Sequence, residues 1–330
     1  MQTSRGPLRW VYDLLSLPIA TKISDRWLKF KFSLLNTSAS RASSKVRQPK
    51  VTLVVPVFNV ERYVELCLTS VEAQNYENLE VIVVNDGSQD GSMQKVARFA
   101  SRLNIRVVDQ ANQGLAAARN AGVAAIDQTD YLMFIDSDDA LQPLALQTLV
   151  RQLETSGSDF AVGDCTRMKG VTRVPRVDTR AVYASGSRSR VAFSDAPGVI
   201  RDVTAWNKMF RWSFFDAKKF IFPKGVYFED MAEMTRAYIE ADNFDIVAKS
   251  IYLWRVRTEG EKSITQSASH EKQFADRFAA LQQMKDLLAD AVRRGRATTK
   301  NLEAFADRLR THDSKLHPDR TKDLDQLAAY

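Results

Sequence analysis

Two stretches of the chain are almost continuously apolar and rich in β-branched residues, VTLVVPV at 51–57 and the first six positions of LEVIVVND at 79–86, with Thr52 and Glu80 as the polar positions inside them. Short continuous runs of this kind mark strands buried on both faces of a parallel sheet. Between them, ERYVELCLTSVEAQ spaces its apolar residues at helical intervals. The alternation continues with helical stretches at 92–103 and 114–126 and strands near 105–109 and 131–135. A β-α-β-α-β-α-β order predicts an α/β architecture, a mostly parallel sheet flanked by helices. After about residue 150 the pattern loosens. DFAVGDC reads as another strand, 166–200 is rich in Arg, Ser, Pro and Gly, and 201–265 mixes aromatics with charges. A helical period returns over 271–295 through Phe274, Phe278, Leu281, Met284 and Leu288, and a second helix is expected near 300–310.

The N-terminal part has a different character. Residues 1–50 hold ten Lys and Arg against two Asp, an excess of eight in a chain whose formal net charge is +7. The basic charge therefore sits in an appendage, which argues against a nucleic-acid-binding domain, where it would form a stripe on the folded surface. Ile23, Trp27, Phe30 and Leu34 share one helical face, with Lys22, Arg26 and Lys29 elsewhere on that helix. This pattern fits a helix lying on an anionic membrane surface, and it fits equally a helix packed on its own domain. TSASRASSKVRQPK at 37–50 reads as a linker, so the folded domain is expected to begin near Val51. No apolar run is long enough to span a bilayer, and the first residues lack a secretory signal, so a cytoplasmic protein is expected, peripheral on the inner membrane face if the extension binds lipid. Cys67 and Cys165 match no metal-ligand spacing and read as buried thiols.

In a doubly wound sheet, ligands bind beyond the carboxyl ends of the strands. Those ends carry Asn59, then Asp86 and Gly87, then Asn112, then Asp136 and Asp138. The last group, in FIDSDD, crowds three carboxylates into four positions, which requires a balancing positive charge or free hydration. If the segment is extended, Asp136 and Asp138 share a face and Ser137 points away, while Asp139 reads as a helix N-cap.

The ordered set PVFNVERYVELCLTSVEAQ, EVIVVNDGSQDGS, NQGLAAARNAG, FIDSDD, WNKMF, FED and YLWRVRTEGEKSIT resembles family 2 glycosyltransferases of the GT-A fold, in a branch that builds bacterial capsules, exopolysaccharides and teichoic acids. The resemblance covers roughly residues 50–265. It implies a catalytic domain over 50–268, with a nucleotide-binding half at 50–140 and an acceptor-binding half at 141–268, preceded by the extension at 1–49 and followed by a helical segment at 269–330. It implies that Pro56, Val57 and Asn59 pack on the donor's base, with Glu61 adding a polar contact. Asp86 corresponds to the nucleoside-binding aspartate, and Asn112, Arg119 and Asp136 to further donor contacts. Asp138 corresponds to the ligand of Mn²⁺ or Mg²⁺ bridging the diphosphate, and hard oxygen ligands suit these ions. Asp230 matches the general base of inverting members, with Glu229 beside it. Its place at a helix start favours the ionised form. Trp206 falls on the acceptor side, and Arg257 and Ser263 in a segment that closes over the diphosphate. His270 reads as a surface residue, with a metal-ligand role as the alternative. Ala116 stands where the family commonly has a small or hydroxyl residue.

The resemblance thus implies an inverting, metal-dependent transfer from a nucleotide sugar, a UDP-sugar first, to a glycan, polyol-phosphate or lipid-linked acceptor. A nucleotidyltransferase would need a glycine-rich phosphate loop after the first strand, where this chain has PVFNVERY. A degenerate transferase acting as a scaffold is the non-enzymatic alternative. The C-terminal stripe permits either core closure or an oligomer contact.

Overall fold

The computed structural model describes residues 48–170, 172–257 and 271–329. The basic extension up to residue 47, and with it the membrane-or-packing question, lies outside the described residues, as do Ser263 and His270.

The chain opens with β1 (Val51–Val57), α1 (Val64–Glu72), β2 (Leu79–Asn85), α2 (Ser92–Ala97), β3 (Ile105–Asp109), α3 (Leu115–Ala124) and β4 (Tyr131–Phe134). This is the alternation that the apolar pattern predicts, with α2 ending earlier than its sequence period. Then come β5 (Ala140–Leu141), α4 (Ala145–Ser156), β6 (Phe160–Lys169), β7 (Thr172–Pro175), β8 (Arg188–Val191), β9 (Lys208–Arg211), α5 (Trp212–Ala217), α6 (Asp230–Glu240) and β10 (Phe244–Arg255). Helices α7 (Glu271–Arg293), α8 (Thr299–Arg308) and α9 (Thr321–Ala328) follow.

The ten strands among the described residues form one sheet, with the order β3-β2-β1-β4-β9-β6-β10-β5 along its main path. The strands β3, β2, β1 and β4 are mutually parallel, as expected of continuous apolar runs. Strand β9 is antiparallel to both β4 and β6, and so joins the two halves of the chain into one sheet. Strand β6 then pairs in parallel with β10, the last strand before the C-terminal helices.

One apolar core lies on each face. Cys67, Leu68 and Val71 of α1 pack with Leu146, Leu149 and Leu153 of α4 on one side. Ala116 and Ala118 of α3, Met234 and Tyr238 of α6, and Leu281, Met284 and Leu288 of α7 fill the other. The C-terminal stripe thus closes the core of its own chain. Both cysteines are free and buried.

Helix α3 lies very close to the sheet because Gly122 has no side chain. A Cβ there would stand 2.4 Å from Cγ1 of Val54 and 3.2 Å from Cγ2 of Val84. Gly122→Ala is therefore expected to destabilise the fold by about 1–3 kcal/mol, the overpacking cost exceeding alanine's better helix propensity. A lowered thermal midpoint with an unchanged far-UV spectrum checks this.

Candidate active site

The carboxyl ends of β1–β4 carry two polar groups of different construction. The first joins the β1, β2 and β3 ends. Asn59, with φ +50°, accepts from the Gln89 N–H through Oδ1 at 2.8 Å. Asparagine tolerates this left-handed conformation better than a bulky residue. Glu61 accepts from the Gly91 N–H at 3.0 Å, while its own N–H donates to Asp90 at 2.9 Å. Asp86 is buried at 3% exposure, and its oxygens accept from Gln110 Nε2 at 2.7 Å, the Gln113 N–H at 2.8 Å and the Gly114 N–H at 2.9 Å. Asp86 thus shapes the loop that carries the exposed Asn112, whose Oδ1 accepts from the Gly114 N–H at 3.1 Å.

Pro56 and Val57 do not line this mouth. Both are buried inside β1, Val57 at 0% exposure, because the strand has neighbours on both sides. The exposed apolar group there is Phe58, 43% accessible and directly after the strand. Nothing local marks Phe58 as different from the apolar run before it, and it is exposed because β1 ends at Val57.

The second group is the acidic segment itself. Residues 136–139 form a turn closed by the Asp139 N–H to the Asp136 carbonyl at 3.0 Å, so they are not extended as expected. Exposure still alternates: Asp136 and Asp138 are half-buried, Ser137 and Asp139 buried. Asp139 is no helix cap, since α4 begins only at Ala145. It accepts from the Tyr252 hydroxyl at 2.9 Å and the Arg255 N–H at 2.6 Å. Tyr252 also receives the Asp136 N–H at 3.1 Å, and Arg255 Nε donates to the Asp138 carbonyl at 2.6 Å. The end of β10 therefore moulds the turn from below. Burial raises the Asp139 carboxyl well above its ordinary range, and Asp138 and Asp136 push it further.

The crowded charge is balanced by arginines. Arg257 holds Asp138 Oδ2 through Nε at 2.8 Å and Nη2 at 2.7 Å. The guanidinium carbons of Arg255 and Arg257 each lie 5.1 Å from the centre of the Tyr63 ring. Arg119 does not reach out towards a nucleotide as expected. It is 1% exposed on α3, donating to Asp136 Oδ1 at 2.9 Å and also to Glu229 Oε1. Its charge is needed inside, where buried Glu229 and half-buried Asp136 would otherwise repel.

Glu229 is the N-cap of α6 and Asp230 its first residue. Burial, which outweighs the attraction of Arg119, pushes the Glu229 carboxyl up to about 7, and neighbouring Asp230 adds repulsion. Asp230 is half-buried, and its Oδ2 accepts from the Ala205 N–H at 3.1 Å. The next residue, Trp206, is packed rather than presented. It is 5% exposed and stacks on Tyr252 with centroids 4.4 Å apart, so that face is not open to a sugar.

Behind Trp206 lies a fully buried network. Asp202 accepts from the Tyr183 hydroxyl at 2.6 Å and Asn207 Nδ2 at 2.8 Å, with Lys208 Nζ at 3.5 Å and Arg176 Nη1 at 3.6 Å. Lys208, at 0% exposure, also donates to the carbonyls of Asp202 and Thr204. The Asn-Lys pair of WNKMF therefore anchors the loop that presents Ala205 to Asp230.

A mostly parallel sheet with an acidic turn after its fourth parallel strand and a carboxylate at a helix start facing that turn is the arrangement of a sugar-transferase scaffold. The family model "Glycosyl transferase family 2" matches residues 52–217, and the chain belongs to that family. It is 31% identical over 215 residues to the putative glycosyltransferase EpsH of Bacillus subtilis, a match spanning 63% of this chain and 61% of EpsH. It is 25% identical over 221 residues to the poly(ribitol-phosphate) beta-N-acetylglucosaminyltransferase TarS of Staphylococcus aureus, spanning 64% of this chain and 36% of TarS. The solved structure of S. aureus TarS 1–349 in complex with UDP superposes with a TM-score of 0.64 at 21% identity, over 80% of this chain and 72% of that one. The mannosyltransferase PcManGT from Pyrobaculum calidifontis, in complex with GDP-Man and Mn²⁺, gives 0.55 at 18% identity, over 92% and 80%. The shared fold is GT-A, as the motif order implies.

Proposed function

We propose that the chain transfers a sugar from a nucleotide sugar, a UDP-sugar, to a hydroxyl of a cell-surface glycan, polyol-phosphate or lipid-linked acceptor, with inversion at the anomeric carbon. The observation that carries this reading is the shared arginine: Arg119 contacts both Asp136 of the acidic turn and Glu229, the neighbour of Asp230. This contact between segments far apart in sequence supports reading Asp136 as a donor-side group and Asp230 as the base of one site.

In this reading Asp230 takes the proton of the acceptor hydroxyl as its oxygen attacks the anomeric carbon from the side opposite the nucleotide. The bond from that carbon to the diphosphate breaks, and the nucleotide diphosphate leaves. Phe58 offers a ring to the base, with Asn59, Asn112 and the loop braced by Asp86 around the nucleoside. Arg257 is placed to move from Asp138 to the phosphates, where a guanidinium pairs well. Ser263 belongs to the same closing segment by its place in the motif.

The chemistry of the turn suits Mn²⁺ or Mg²⁺. Asp138 offers a hard carboxylate, and among the described residues there is no cluster of three His, Cys, Asp or Glu to cage an ion. That combination fits an ion held by one carboxylate plus substrate phosphates, and the ion would stabilise the departing diphosphate. No described helix is long and apolar enough to cross a membrane. The basic extension at 1–49 is the part of the chain suited to hold the enzyme at an anionic membrane face or near a phosphate-bearing acceptor.

Calorimetric titration with UDP, with and without Mn²⁺, tests the reading, with CDP, GDP and TDP as controls. Binding that is selective for UDP and stronger by at least about tenfold with Mn²⁺ is expected, corresponding to about 1.4 kcal/mol. A folded protein that binds none of the four supports the scaffold alternative.

A further inference from the structure

The start of α6 is held unusually firmly for a segment that follows an irregular connection. Phe228, just before Glu229, has φ +60°, a strained conformation for a bulky aromatic residue that persists only when neighbours impose it. One set of neighbours comes from α3. Asn120 donates through Nδ2 to the Phe222 carbonyl at 2.8 Å and accepts from the Phe222 N–H at 3.0 Å, the two-point pairing a strand partner would make. Its neighbour Arg119 binds Glu229, and its guanidinium carbon stands 5.4 Å from the centre of the Phe222 ring. A second set comes from α7: Asp276 accepts the Tyr227 N–H at 3.1 Å, and the Arg277 guanidinium carbon lies 4.8 Å from the centre of the Phe228 ring. Of these two sets, the α3 contacts also reach the donor side by direct side-chain pairing, through Arg119 to Asp136.

We infer that Arg119 and Asn120 form a positioning clamp that couples occupancy of the acidic turn to the placement of Asp230. The inference rests on the transferase reading and adds to it a route between its two halves. The buried guanidinium of Arg119 is shared by buried Glu229 and half-buried Asp136, so their hold on it is linked. A nucleotide diphosphate and its cation arriving at the turn change the charge around Asp136. The share of the guanidinium's field available to Glu229 changes with it, in a low-dielectric setting where such interactions are strong. Asn120 keeps the segment leading to α6 in register while this happens. Both are positioning residues, because neither meets the reacting atoms. Linkage requires that the coupling be reciprocal, so donor binds more tightly to the state with an ordered α6 start by the same factor by which donor favours that state.

Hydrogen exchange on the full chain, with and without UDP and Mn²⁺, reads the coupling directly in peptides covering residues 226–236. In the unmodified chain, ligand is expected to slow exchange there by about fivefold or more, a local stabilisation of the kind this method resolves. In Arg119→Lys and Glu229→Gln that ligand-dependent protection is expected to disappear although UDP still binds. Glu229→Gln keeps the shape of the site, and so covers the case in which Arg119→Lys fails to fold. Asn120→Ala is expected to lower kcat about tenfold with the donor KM changed by less than about threefold, a split that a general loss of folded protein does not produce. Protection of equal size in all variants overturns the clamp and leaves the transferase reading standing. Absence of UDP binding by the unmodified chain sinks the transferase reading, and the clamp with it.

Discussion

Asp230→Asn is expected to lower sugar transfer by about 10²–10⁴-fold, the range that a positioned general base contributes. The substitution keeps the size of the side chain and leaves an oxygen to accept the Ala205 N–H, which now bonds Asp230 Oδ2 at 3.1 Å. It removes only the capacity to take a proton from the acceptor. UDP affinity, set at the turn and at the β1–β3 ends, should change by less than about threefold, so the loss falls on kcat. Steady-state kinetics paired with calorimetry on one preparation checks both halves. Transfer at the unmodified rate would remove Asp230 from the base role. Parallel loss of UDP binding would instead mean that the residue belongs to the donor site.

The largest stability effect is expected at Asp202. Its carboxylate is 1% exposed and surrounded by Lys208, Arg176, Tyr183 and Asn207. Asp202→Ala leaves a fully buried ammonium without its counter-charge, which costs about 3–5 kcal/mol. A urea midpoint lower by about 1 M or more, at an unchanged slope, is the measurement. The pH dependence follows from the same contacts. Burial alone would raise this carboxyl, but Lys208 and Arg176, with hydrogen bonds from Tyr183 and Asn207, bring it down to about 2. The unfolded chain holds the proton with a pKa of about 3.9, so the unfolded state binds more protons between these values. The stabilisation is therefore complete above about pH 5 and is lost as pH falls towards 2, a contribution of about 2–3 kcal/mol. Asp202→Asn should flatten the acid limb of the stability curve over that window. An acid limb of unchanged slope would mean that another carboxylate governs it.

These two residues differ in how far the chain announced them. Asp230 stood in FED before an amphipathic run, and the helix does begin at that residue. Asp202 carried no such mark, lying in a stretch without clear period, and its importance comes from Lys208 and Arg176 being folded onto it from other segments. Arg119 shows the same division within one residue. Its motif flagged it as functional, yet its partners, Asp136 and Glu229, lie 17 and 110 positions away, and they turn it inward. The turn at 136–139 was legible as an acidic cluster but not as a turn, because Tyr252 and Arg255, which shape it, enter only when β10 joins the sheet.

Local chemistry in the sequence determined the strands and helices from Val51 to Phe134, the family and the carboxylates at the ends of the elements. Side-chain spacing at periods of two and 3.6 is a property of neighbouring residues, so it can be read without knowing the fold. Tertiary structure alone decided which of the polar residues are spent on each other. It buried Pro56, Val57 and Trp206, left Phe58 open, set Asp139 under the turn rather than at a helix end, and gave Arg119 two carboxylates to hold. The physical reason is that burial and charge pairing depend on which segments the sheet brings side by side, and the β4-β9-β6-β10 order of this sheet joins residues that no local pattern relates.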